Sequence, residues 1–346
     1  MSFKLFPIIE DFRKPLFNVD YGDEKLFLDI SFSSMKWSVY AVSKVLGVFD
    51  VLSDEPKTCL DLSKELGLND KALEMVLDLL VGLKLIGRSS DGYYAKPVSK
   101  LIRFRYGYGI EAVRYNPFLR RFIRILKGER LKPLSEGHDW GDIGLQLSFA
   151  ATALCGEFQR TLKYIEREDV LSKARSLIDV GGGHGLYSIG FCKLYPNLKA
   201  VVFDLEQTIR VAGKFVEKYS MSNRIKLVKG DALMDEFKGV YDVAFMSDVT
   251  FRKKDAEKVI GKIYDILSDN GVFIIKDIVP LKYWFNAPYA LMHEISMLIE
   301  VGSIDYYSKP PTMVEYMEMC RRKGFKRARV LGWITRGWTS IGIAYK

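Results

Sequence analysis

The segment Ser176-Leu177-Ile178-Asp179-Val180-Gly181-Gly182-Gly183-His184-Gly185 constrains the chain more than any other. Ser176 to Val180 reads as a short buried strand, and the glycines open a turn into an apolar helix that begins near Leu186. Glycines at 181, 183 and 185 let the backbone approach a ligand without Cβ contacts and tolerate positive φ. The N-terminus of the following helix leaves amide donors for a polar or anionic group. A dinucleotide fingerprint, G-x-G-x-x-G, would need glycine at 186, where leucine stands. The pattern present is D-x-G-x-G-x-G, with an acid two residues ahead of the first glycine. A turn that serves packing alone fits these residues equally well, so the loop needs support from the rest of the chain.

That support comes downstream. Lys199 to Phe203 reads as a second strand ending at Asp204, 19 residues beyond Gly185. A carboxylate there can accept the two hydroxyl protons of a ribose. Helix Thr208–Tyr219, strand Ile225–Lys229 and the triplet Gly230-Asp231-Ala232 follow, and an acid after the third strand suits an adenine amino group. Strand Tyr241–Met246, helix Lys253–Leu267 and strand Gly271–Asp277 continue the alternation. The fold class expected is α/β: a doubly wound parallel sheet with ligand at the carboxyl ends of its strands. Any one of Asp179, Asp204 and Asp231 could be a cap or turn residue. Three at successive strand ends beside the glycine loop make a set. With the loop they resemble the first motif and adjoining acids of class I S-adenosylmethionine-dependent methyltransferases, which implies S-adenosylmethionine as cofactor.

With 346 residues, two domains are expected. No apolar run reaches the roughly 18 residues of a membrane span. The first residues lack an apolar stretch long enough for a secretory signal. The four cysteines are scattered, as free thiols of a cytoplasmic protein would be. Three histidines make a histidine-rich metal site an unsuitable reading, and no metal is expected.

The N-terminal part, 1–100, reads as an apolar helix over 31–52, a short helix Leu60–Leu66 closed by Gly67, a helix capped by Asn69 or Asp70, and a hairpin around Ser89-Ser90-Asp91-Gly92. That is the order of a winged helix. Its would-be recognition helix, Asp70 to Lys84, carries Asp70, Glu74 and Asp78 and would repel phosphates, so dimerisation is the expected role and nucleic acid is not an expected partner. A connector, 101–170, follows. Between Lys100 and Lys132 ten basic residues face two acids and alternate with aromatics. Either they form a groove for an anionic or aromatic ligand or RNA, or they are the solvated face of amphipathic helices. A long helix from Leu145 to Arg167 is expected to pack on the last domain, 171–346.

The layout as a whole resembles the plant-catechol and hydroxyindole type of small-molecule O-methyltransferases, with bacterial members acting on antibiotics and pigments. Asp179 to Gly185, Phe203-Asp204-Leu205, Gly230-Asp231 and Lys323-Gly324-Phe325 carry the likeness. The resemblance implies a homodimer built through the N-terminal domain and a seven-stranded cofactor domain. It implies cofactor contacts at Asp179, Gly181, Gly182, Gly183, Gly185, Asp204, Leu205, Asp231, Ala232 and Ser247. It also implies an acceptor pocket between domains, with Phe149, Phe158, His293 and Met297 as candidate lining.

One departure stands out. The family's base is a histidine after the fourth strand in an H-x-W-x-D-E-like segment, which here puts Val249 at the histidine and Phe251 at the tryptophan. Its later acidic partner falls on Pro310-Pro311-Thr312. His293 and Glu294, in an apolar helix, are the candidates to replace the base. His184 belongs to the cofactor loop. The alternatives are an acceptor nitrogen, carbon or ionised oxygen that needs alignment but no base, or a protein that binds the cofactor without ordinary catalysis.

Overall fold

The computed structural model describes residues 8–16, 21–104, 111–134, 140–250, 252–305, 307 and 309–346. Phe251, His138, Arg105, Tyr106 and Tyr108 lie outside them. Contacts divide the chain into two units: residues 1–21, 138–282 and 310–346 form one, and 22–137 with 283–309 the other. The connector expected over 101–170 is therefore shared between units, and 283–309 joins the N-terminal unit instead of the sheet. The physical reason is the apolar helix Pro288–Val301, whose Leu291, Ile295 and Leu298 are fully buried and which packs on helix Asp70–Gly82. Gly82 allows that approach, since a Cβ there would stand 2.9 Å from the Phe285 carbonyl.

In the N-terminal unit the apolar stretch 31–52 is two helices, Ser33–Val45 and Val48–Val51, separated at Gly47. Thr58 caps helix Cys59–Leu66 through Asp61 N, and Gly67 ends it. Asn69 caps helix Asp70–Gly82 through Ala72 N, settling the choice between Asn69 and Asp70. Strands β1 (Ile86–Ser89) and β2 (Gly92–Ala95) form the antiparallel hairpin. Buried Asp78 accepts from Arg88 Nη1 at 2.5 Å and Tyr93 Oη at 2.9 Å, tying hairpin to helix. The basic segment is largely spent inside this unit. Arg103 donates to the Phe49 and Leu52 carbonyls, Arg121 to the Ile299 and Lys132 carbonyls, Arg124 to Glu129 and Arg130 to Asp305.

The other unit is built on a seven-stranded sheet. Its strands are β3 (Ser176–Val180), β4 (Lys199–Asp204), β5 (Ile225–Lys229), β6 (Tyr241–Ser247), β7 (Leu267–Asp277), β8 (Arg327–Thr335) and β9 (Thr339–Tyr345). They stand in the order β5-β4-β3-β6-β7-β9-β8, parallel from β5 to β7, with β9 and β8 antiparallel. Continuous apolar runs such as Val243 to Met246 and Val272 to Ile275 are buried because helices cover both faces. The strand order reverses between β3 and β6, where open α/β sheets leave a crevice at the carboxyl ends. Among the described residues no helix is long and apolar enough to cross a membrane.

The single helix expected from Leu145 to Arg167 is interrupted. Helix Ile143–Thr152 passes through a π-turn, Ala153–Glu157, into helix Phe158–Glu168, with Gly156 at φ +142°. Phe158 was a candidate pocket residue, and here the structure corrects the expectation. Its ring is 1% exposed and packs between Phe12, Tyr187 and Phe191 in the core.

Thr312, in the segment aligned with the family's acidic partner, is the N-cap of helix Met313–Lys323. Its hydroxyl accepts from Glu315 N, and Glu315 Oε2 accepts from Thr312 N. We expect Thr312→Ala to cost about 1 kcal/mol in chemical denaturation and to leave ligand binding intact; an unchanged stability would remove the capping role.

Candidate functional site

The glycine loop sits on the switch point with no room for side chains on two of its residues. Gly181 N donates to the Phe203 carbonyl at 2.8 Å, which continues the β3–β4 pairing one residue past the strand. Gly181 has φ +66°, and a Cβ on it would stand 2.4 Å from Val249 Cγ2. A Cβ on Gly182 would stand 2.8 Å from both Asp179 Cγ and Val202 Cγ1. The loop is thus clasped between β4 on one side and the turn after β6 on the other.

Asp204 closes the arrangement. Its Oδ2 accepts from Gly183 N and its Oδ1 from Leu205 N, each at 2.7 Å. A carboxylate has about four acceptor directions, so two backbone donors leave capacity for hydroxyls. Gly230 N donates to the Asp204 carbonyl at 2.9 Å, which brings Asp231 beside it. Asp231 Oδ1 accepts from Leu233 N at 2.7 Å, and Ala232 is half-buried with its carbonyl held by Lys262 Nζ. Gly181, Gly182, Gly183, Asp204, Leu205, Asp231, Ala232 and Ser247 are all half-buried, as walls of an open cleft are, whereas Gly185 is buried under the loop. Backbone groups stripped of Cβ, a strand-end carboxylate with unspent lone pairs and a second acid one strand further out fit S-adenosylmethionine, whose ribose offers two hydroxyls and whose adenine offers an amino group.

Two loop residues act from beneath. Asp179 is 1% exposed, lies against Gly182, and accepts from Ser188 Oγ at 2.7 Å. Burial pushes its carboxyl up to about 7, against the pull of the Ser188 hydroxyl. His184 is buried, and its Nδ1 accepts from Leu186 N at 3.1 Å. Burial, helped by the charge of Lys276, drops it to about 3, so the ring is neutral and caps the helix start. Burial also raises Asp204, opposed by the Gly183 and Leu205 amides.

A second polar group adjoins the loop and was not anticipated. Asp248 follows β6 with φ +57°, and its Oδ2 accepts from Lys276 Nζ at 3.0 Å and from Ser247 Oγ at 2.9 Å. Glu157, delivered by the π-turn, lies 3.2 Å from Lys276 and accepts from Thr339 Oγ1 at 3.0 Å. Burial followed by the Asp248 charge holds Asp277 well above the carboxylate range, and Tyr316 donates to it at 2.7 Å. The available signals were Lys276-Asp277 ending an otherwise apolar strand and Gly156-Glu157 inside a helix.

The candidate acceptor residues lie on other elements. His293 Nδ1 is 3.2 Å from Glu294 Oε1, and Glu294, 4% exposed, also accepts from Tyr307. Met297 is half-buried one turn further along that helix, and Phe149 is 44% exposed on helix Ile143–Thr152.

The glycine cradle, the strand-end acids and the strand order agree with what comparison finds. The chain belongs to the O-methyltransferase family: that family's methyltransferase domain matches residues 156–326 and its dimerisation domain residues 28–102. These are S-adenosylmethionine-dependent methyltransferases. The chain is 38% identical over 128 residues to an uncharacterized protein of Methanocaldococcus jannaschii, a match covering 37% of this chain and 34% of that one. It is 21% identical to the 3-hydroxy-5-methyl-1-naphthoate 3-O-methyltransferase of Streptomyces sahachiroi, over 91% of this chain and 93% of the relative. The fold matches that of an O-methyltransferase family 2 protein from Planctomyces limnophilus, solved with apigenin, at TM-score 0.75 and 20% identity over 98% and 99% of the two chains. Curated relatives include O-, N- and C-methyltransferases.

The Asp179 shift has a sign that can be checked. Its folded value of about 7 exceeds the ordinary 3.8. The stability it contributes is therefore complete below about pH 4 and is lost as pH rises toward 7. Asp179→Asn cannot ionise. It should melt closer to, or above, the parent at pH 8 than at pH 5, by a relative gain on the order of 2–4 kcal/mol. A difference between the two proteins that does not change with pH would refute the buried, protonated carboxyl.

Proposed function

We propose that this chain is a cytosolic, homodimeric methyltransferase that acts on a small aromatic or anionic acceptor, most simply at oxygen, without a histidine in the turn after β6. The observation that carries this reading is Val249. It stands where the family's base is placed, and it is a half-buried apolar residue packed on Gly181. No proton can be taken there.

S-adenosylmethionine, when bound, supplies a methyl group on a sulfonium, activated for displacement in line with its leaving sulfur. The work left to the protein is alignment, which can account for much of the rate, and removal of a proton where the acceptor is a neutral hydroxyl. We assign alignment of the cofactor to the glycine loop, Asp204 and Asp231. We assign the proton to His293. Glu294 takes the Nδ1 side of that imidazole, which makes Nε2 the basic nitrogen, and Tyr307 holds Glu294 in turn. Burial followed by the Glu294 charge keeps the Tyr307 phenol well above its ordinary range, so it stays a donor. A base oriented by a carboxylate that is itself held is the arrangement general-base chemistry uses. Met297, one helical turn from His293, is assigned to the acceptor.

The second reading is transfer to nitrogen, carbon or an already ionised oxygen by proximity alone, and the same Val249 favours it. Kinetics separate the two. With a neutral phenol as acceptor, His293→Ala should lower kcat at least about 100-fold, with KM for S-adenosylmethionine unchanged, and Glu294→Gln should fall between. Full kcat across pH 6–9 in His293→Ala would remove the base assignment and leave proximity.

A further inference from the structure

The Ser247–Val249 turn is held from behind by an ionic network that no step of the reaction uses. Lys276 is the last-but-one residue of β7, and its side chain is 4% exposed. Its Nζ lies 3.0 Å from Asp248 Oδ2, 3.2 Å from Glu157 Oε2 and 3.3 Å from Ser247 Oγ. Asp248 is engaged on every side. Ile278 N donates to its Oδ1 at 2.9 Å, its own N–H donates to the Lys276 carbonyl at 3.2 Å, and its backbone is left-handed at φ +57°. That conformation is uncommon for a residue with a Cβ, and Asp and Asn are among the few that adopt it. The next residue is Val249, in contact with Gly181.

We propose that Lys276 and Asp248 are positioning residues for the cofactor loop: their ion pair locks the left-handed turn that presses Val249 against Gly181 and so sets the loop's depth over β3. The chain of causes is short. Gly156 opens the π-turn, the π-turn turns Glu157 inward, and Glu157 supplies a second negative charge to Lys276. Burial alone would drive the ammonium down, but Asp248 and Glu157 outweigh it and hold it above the lysine range. Asp248 is in turn held below the carboxylate range: burial opposes this, and the Lys276 charge prevails. Asp277 stands beside Asp248, and burial followed by the Asp248 charge raises it well above the carboxylate range; Lys276 itself lies between the carboxylates of Asp248 and Glu157. Removing Lys276 alone would strand both anions, which is why it is changed only together with one of them.

The test is calorimetric binding of S-adenosylhomocysteine to the full chain, with denaturation midpoints measured in parallel. Asp248→Asn tolerates the same φ and leaves the Lys276–Glu157 pair intact, and it should weaken binding about 10- to 100-fold. The double variant Glu157→Gln with Lys276→Met removes one charge of each sign and should show the same loss if Asp248→Asn does not fold. The control is Asp242→Ala at the opposite end of β6, which loses bonds to Arg175 N and Ser176 N at 2.8 and 3.0 Å. It should lower stability without changing affinity. Affinity within about twofold of the parent in Asp248→Asn or in the double variant overturns the proposal, as does an equal loss in Asp242→Ala at matched stability. The proposal rests on the glycine loop being the cofactor site. Parent protein that fails to bind S-adenosylhomocysteine overturns that reading instead.

Discussion

The depth at which the glycine loop lies over the sheet governs the rest of this structure. Gly182 is pressed on Asp179 and Val202, and Gly181 on Val249, at distances no Cβ could occupy. Because Gly181 N bonds Phe203 as if the sheet continued, the loop turns away one residue past β3, and Gly183 N arrives at the Asp204 carboxylate. Asp204 in turn fixes Gly230 through its carbonyl, so the ends of three strands are joined by backbone bonds around one cleft. A loop two residues longer, or one side chain larger, would take the Gly183 amide from Asp204 and leave it that of Leu205 alone. The bonds among Gly181, Gly183, Asp204 and Gly230 follow from this spacing and are not independent features.

Five acids stand on or beside that cleft and they are not in the same electrostatic state. Asp179 is buried with the Ser188 hydroxyl and amide as partners, and burial outweighs them and raises it. Asp204 is also raised by burial but offset by two amides, which keeps it useful as an acceptor. Asp248 and Asp277 are neighbours that compete for one cation. Lys276 bonds Asp248, and burial followed by the Asp248 charge raises Asp277 well above the carboxylate range. A proton on one carboxyl of a close pair is the usual outcome when two cannot both ionise. Asp231, more open, gives one carboxylate oxygen to a turn. The same residue type therefore serves as a buried support, a loop anchor and a turn lock, and its hydrogen-bond partners decide which.

The sheet was legible because its signals are local. Apolar runs of five to seven residues ended by Asp or Ser, separated by amphipathic helices, specify a parallel sheet wherever they occur, and Thr58, Asn69 and Gly67 marked helix ends through capping chemistry that acts within a few residues. Domain membership was less legible. Helix Pro288–Val301 follows the last parallel strand in sequence but buries Leu291, Ile295 and Leu298 in the N-terminal unit, and periodicity says which face is apolar without saying what covers it. Phe158 failed for a related reason, since an aromatic on a long helix reads alike whether it meets substrate or Phe12 and Phe191. The Lys276 network joins residues 157, 248, 276 and 339, and a single sequence carries no mark that they meet.

That network also bears on the conformation of the turn that carries Val249. An apolar core of equal volume would cost less desolvation than a buried lysine between two carboxylates, so stability alone does not account for it. Apolar packing is indifferent to small rotations, whereas Asp248 must be held at a left-handed φ with both carboxylate oxygens engaged. Directional bonds supply what packing lacks. With the turn held by Lys276 and Ile278, Val249 is kept against Gly181.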